Sequence, residues 1–207
     1  MTEQNNKSAD KFSKSRLRSV FNDAIDILKL DTSKMHKVAA KKDATLYGTI
    51  ILVAPVIFNV LLAGFSFPSG FGVIFSHFMF WPMLIPLIAI IVVIFGTSFV
   101  AEKMYKAKGS YIGFYRVVAY SSLVVWLSVA FFVLAIVLPI DPVGFLNLTW
   151  LVSVGWMLVV AYKMLQIHHK LKDNELVVVI AISIIGYFVV RGILGRVLMG
   201  DIYRFFY

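Results

Sequence analysis

Residues 164–175 read MLQIHHKLKDNE and set two adjacent histidines beside an aspartate and a glutamate. Imidazoles and carboxylates so close together are the raw material of a metal site or an acid–base pair. Geometry argues against both. Adjacent residues on a helix point about 100° apart, because 3.6 residues complete a turn, so His168 and His169 cannot face one ion. His169 and Asp173 stand four apart and can share a face, but no further ligand follows, and Lys170 and Lys172 repel a cation. Asp173 and Asn174 suit the cap of a following helix, with Glu175 in its first turn. The stretch reads as a surface hairpin whose histidines touch headgroups or a partner and could make that contact pH-sensitive.

Other chemistry is scarce. The chain has no HExxH, P-loop or GxSxG pattern and no carboxylate cluster at ligand spacing. It has no cysteine, which excludes disulfides and thiolate metal sites. Within its apolar runs, Asn59 with Tyr120, Ser121 and Ser122 is the one set dense enough to suggest a polar pocket. Hydroxyls in such runs more often tie helices together. Arg191, beside Gly192 and Gly195, either snorkels to an interface or pairs with a carbonyl or tyrosine between helices. No catalytic, cofactor-binding or metal-binding residue is assigned, and no cofactor is expected.

The elements that must carry these residues follow from composition. The 207 residues are 60% hydrophobic and 15% charged, against about 25% charged in an ordinary soluble domain. Residues 1–44 hold 16 of the 31 charged side chains, the asymmetry of a polar head joined to a membrane-embedded body. Crossing a bilayer takes about 20 mostly apolar residues. Five runs qualify, at 45–65, 80–100, 117–138, 143–162 and 176–198, and they are uncharged until Arg191. The expected fold is therefore an all-α membrane protein with five transmembrane helices. Pro55, Pro82 and Pro86 are expected to bend the first two.

Basic residues set the orientation. Seventeen lysines and arginines fall in 1–44 and the 101–116 and 163–175 loops, and three (Arg191, Arg196, Arg204) fall on the opposite side. That predicts an N-in, C-out topology with a short outer tail at 201–207. The 66–79 connection, SFPSGFGVIFSHFM, is expected to lie in the interface rather than dip back as a re-entrant loop. The opening residues hold no apolar h-region, so the first span is expected to direct insertion.

Ahead of the spans, residues 1–15 are polar and aperiodic and are expected to be a disordered tail. Residues 16–44 form cytosolic amphipathic helices. In RLRSVFNDAIDILKL the apolar positions Leu17, Val20, Phe21, Ala24, Ile27 and Leu28 recur at helical spacing. Asp31, Thr32 and Ser33 then supply a break and an N-cap, and KMHKVAAKK gathers Met35, Val38 and Ala39 on a second helix. This pair can lie on the inner leaflet or dock against the ends of the spans. Phe21, Ile27, Leu28, Met35, His168, His169 and Lys170 make up the expected contact surface.

The arrangement resembles the Yip family, the Ypt/Rab-interacting five-span membrane proteins. FNDAIDILKLDTSKM ahead of the first span, GFYRVVAYSSLVVWLSVAFFVLAIVLP entering the third, and VSVGWMLVVAYKMLQIHHKLKDNELVVVIAISII across the last turn carry the likeness, which covers about residues 17–195. Eukaryotic members have a cytosolic Asp-Leu-Tyr-Gly-Pro motif; here Leu46-Tyr47-Gly48 is a partial echo, already at the membrane. The resemblance implies a scaffold of the membrane-organising or trafficking type, without catalysis, in a prokaryotic cell membrane. Expected partners are the lipid bilayer, with anionic headgroups on the cytosolic side, an unspecified protein and a second copy of the chain; nucleic acid is not expected. A small-solute or ion permease using the polar set among the spans is the alternative.

Overall fold

The structure, a computed structural model, describes residues 2–66, 77–138 and 142–200. Helix α1 spans Thr2–Leu28 and so takes in the polar residues read above as a disordered tail; neither glycine nor proline interrupts it. Helix α2 is Thr32–Ala40, capped as its sequence suggested, with the Asp31 carboxylate accepting from the Lys34 amide at 3.1 Å. Then come α3 (Ala44–Ser66), α4 (His77–Tyr105), α5 (Tyr111–Ser121), a 3-10 turn (Ser122–Val125), α6 (Trp126–Val137), α7 (Pro142–His168) and α8 (Asp173–Met199). The described residues contain no strand. The 201–207 tail and most of the 66–79 connection lie outside them.

Among the described residues, five stretches are long and apolar enough to cross a membrane: Ala44–Leu62, Leu84–Tyr105, Tyr111–Phe131, Leu151–His168 and Asp173–Met199. The fold is all-α with five candidate spans behind N-terminal helices. The third span begins six residues before the expected 117, because Ser110 caps it by accepting from the Gly113 amide at 3.2 Å. Halfway along, it changes pitch. Ser121, Ser122 and Ser128 donate to the carbonyls of Val118, Ala119 and Val125 at 2.6, 2.5 and 2.6 Å. Hydroxyls that bond three residues back compete with the α-helical ladder and tighten it locally.

Helix α8 packs along α4, while α3 and α7 flank α5 and α6. Helices α1 and α2 sit on α5 at one end of this bundle, hereafter the head end. The apolar stripe of the head belongs to the same core as the spans. Ala24, Ile27, Met35 and Val38 are fully buried in one cluster with Phe114, Val117, Met164 and Leu165. Of the two placements open to the amphipathic pair, the structure shows the docked one.

Three helices end at the head end on a left-handed residue that is not glycine: Leu30 after α1 (φ 62°), Lys106 after α4 (φ 54°) and Lys170 after α7 (φ 56°). After α1 the Leu30 and Asp31 amides donate to the carbonyls of Ile27 and Asp26, the double closure of a Schellman turn. After α7 the Leu171 amide reaches back to Leu165, and both side chains are buried.

Candidate functional site

The polar chemistry gathers where the head meets the bundle. Asp23 of α1 is only 4% exposed, and a buried carboxylate must be paired. It takes Lys34 at 3.3 Å and Lys41 at 3.4 Å. Lys34 also reaches Asp26 at 3.2 Å, and its ammonium is held above its ordinary pKa by Asp26 first and Asp23 second. Arg16 and Asp43 close the outer side at 2.9 Å.

Arg116 of α5 is the centre of the junction. Its Nε donates to Thr45 Oγ1 at 2.7 Å, at the start of α3, and one terminal nitrogen donates to the Ala39 carbonyl at 2.7 Å, in the last turn of α2. The free carbonyls at a helix C-terminus carry partial negative charge, so a guanidinium is well placed there. Next to it, Thr49 and Tyr115 share a hydrogen bond of 2.7 Å between α3 and α5. One planar fork thus joins three elements.

The histidine pair forms the second half of the junction. His168, the last residue of α7, accepts from the Ser110 amide at 3.0 Å, and its ring lies 6.3 Å from that of His36 on α2. His169 is 3% exposed, stands edge-on to Phe114 and meets the Ser98 hydroxyl of α4 at 3.1 Å through Nε2. Burial, and then the neighbouring His168, press its pKa down to about 4. A Cβ on Gly109 would collide with the His169 ring, so only glycine lets the 106–110 loop close over it. The hairpin read as a surface turn is pinned through its histidines to the 106–110 loop and to α4. Among the described residues no three His, Asp or Glu side chains are grouped to hold an ion.

The expected contact surface divides. Phe21 is 53% exposed and Lys170 is exposed; Leu28 and His168 are half-buried. Ile27, Met35 and His169 are buried and face the interior. The expected intramembrane polar set divides as well. Asn59 bonds Ser128 at 2.9 Å across α3 and α6, Ser121 and Ser122 are spent on their own turn, and Tyr120 packs against Gly48 of α3. Arg191 is half-buried on α8, toward the end away from the head. These residues do not converge on one pocket.

Asp23, Ser98, Gly109, Ser110 and Arg116 were not singled out from the sequence. Asp23 reads as one more charge on a solvated face, and Arg116 as one more basic loop residue. The one available signal was Ser110 three residues before Gly113, an N-cap spacing that would have moved the helix start ahead of Arg116.

Neither a comparison with curated proteins nor one with solved structures finds a match. The family model of the Yip1 domain does match, over residues 31–193, from the cap of α2 into the last span. That range covers most of the chain, four candidate spans and most of the fifth, so the protein is an integral multi-pass membrane protein and belongs to the Yip1-domain family.

Proposed function

We propose that the protein is a non-enzymatic scaffold of the membrane-organising or trafficking type, presenting its docked head to a protein partner and to anionic lipid on the cytosolic face of a cell membrane. The single observation behind this reading is the junction: the buried ionic and hydrogen-bonding groups of the head are used to fasten α1 and α2 to the bundle. Asp23 is bonded to Lys34 and Lys41, and Arg116 donates to Ala39 of α2, so each is spent on another element of the same chain. A reactive constellation would aim such groups at an open position instead. Fastening turns the head into a fixed platform. Its outward face carries Leu17 and Phe21, more than half exposed, beside Arg18 and Lys29. An exposed apolar pair rimmed by cations suits a partner with an apolar, acidic surface. The basic loops on the same side suit anionic headgroups.

Crosslinking in native membranes, followed by identification of captured proteins, tests this for the intact chain against the double variant Leu17→Glu, Phe21→Glu. A partner captured by the first and lost with the second supports the platform reading. Equal capture by both sinks it.

A further inference from the structure

Within the membrane-spanning part, α4, α5, α7 and α8 enclose a cavity of about 210 Å³. Thr97, Phe114, Leu151, Ala161, Ile184 and Phe188 mark its extent, and no charged residue lines it. Two of its hydroxyls are already satisfied. Thr97 and Ser183 lie 2.7 Å apart, and each is 2.7 Å from a carbonyl of its own helix, Val93 and Val179, so one hydroxyl donates to the other and the second donates to its carbonyl. A space whose walls are mostly apolar does not hold water well. Left empty, it forfeits the dispersion contacts of its lining.

The cavity is open on one side. Leu151 and Phe188 line it and are 63% and 60% exposed, and Ile184 beside them is 38% exposed. All three fall within candidate spans, so what meets them is hydrocarbon. Along α7 the lining runs from Leu151 to Ala161, about 15 Å at 1.5 Å per residue. That is half of the roughly 30 Å hydrocarbon core, the depth of a single leaflet.

The geometry points to a lateral binding site for one acyl chain of a bilayer phospholipid, entering between α7 and α8 past Leu151, Ile184 and Phe188. The chain fills the cavity along one leaflet's depth, and its headgroup stays at the membrane surface. No charged side chain lines the site.

The absence of cysteine allows a clean test. The protein is reconstituted in vesicles containing a phosphatidylcholine with a diazirine near the end of one chain, irradiated, and its labelled peptides are mapped. Labelling at Met157, Ala161 and Ile180 is expected to exceed that at the lipid-facing Ile193 and Val197 several-fold. Ala161→Phe, which fills the cavity, should bring it down to the lipid-facing level, and Ile184→Trp at the mouth serves as a second filling variant if the first does not fold. Labelling of the wild type no higher inside than outside overturns the proposal. So does rapid modification of Met157→Cys by a membrane-impermeant maleimide, which would make the cavity aqueous. Both results leave the head-platform reading untouched, because neither probe reaches Leu17 or Phe21.

Discussion

His169 Nε2 and the Ser98 hydroxyl lie 3.1 Å apart, joining the end of α7 to the middle of the last turns of α4 across 71 positions of sequence. The imidazole is buried and favours its neutral form, with a pKa near 4. In the unfolded chain it titrates at about 6.5. Between those values the unfolded state binds the extra proton, so stability is full above about pH 6.5 and falls as pH drops toward 4, by at most about 1.4 kcal/mol per pH unit. Thermal unfolding in detergent at pH 7.5 and at pH 5.5 should show this loss in the wild type. In His169→Gln, whose amide can still meet Ser98, the pH dependence should be clearly shallower. Equal slopes would mean that His169 is not the titrating group.

Gly109 should resist enlargement. Gly109→Ala places a methyl against the His169 ring, and forced overpacking of this kind costs about 1–3 kcal/mol. The cost should largely vanish in the double variant Gly109→Ala, His169→Ala, which removes the ring. A double-mutant cycle on melting temperature measures it, and strictly additive effects would contradict the contact.

Arg116 should not tolerate lysine. Its two donating nitrogens serve Thr45 and Ala39 at once, and a single ammonium cannot reproduce a fork. Each charge-assisted bond is worth about 1.5–3 kcal/mol, so both Arg116→Lys and Arg116→Ala should loosen the head. Amide hydrogen exchange across Thr32–Ala40 is the direct readout. Protection there should fall by at least tenfold, while α4 and α8 keep theirs.

Lys170 offers a stabilising change. It holds φ at 56°, a conformation that costs an ordinary residue about 1 kcal/mol and glycine almost nothing. Lys170→Gly should therefore raise the melting temperature by a few degrees, and Lys106→Gly should do the same by the same logic. A drop in both would show that these lysine side chains contribute more than their backbone costs.

The spans were legible because a bilayer demands one thing, an unbroken apolar run, and TLYGTIILVAPVIFNVLLAGF supplies it without help from the rest of the chain. The cap of α2 was legible for the same reason: Asp31 and Lys34 are three residues apart. The junction was not. Arg116 meets Ala39 across 77 positions and His168 meets Ser110 across 58, and no local pattern encodes such pairings. The charge of Arg116 also misled directly, since a cation near an apolar run reads as the end of a span. Here a carbonyl and a threonine satisfy it inside the helix. The hairpin misled in the opposite sense. KLKDNE is polar by composition, yet its one apolar residue, Leu171, is needed to close α7.

The fastening at the head has a mechanical corollary. Apolar helices in hydrocarbon gain little by touching one another in place of lipid. The ties made by Arg116, Thr49, His168 and His169 all sit within a few turns of the head, whereas Asn59 with Ser128 is the deeper tie between α3 and α6. Four of the spans are thus bound like the pages of a book at one edge, and the fifth, α8, is held to α4 further in by Thr97 and Ser183. The bound edge keeps its own spacing, and the opposite edge takes its spacing from the thickness and tension of the bilayer around it.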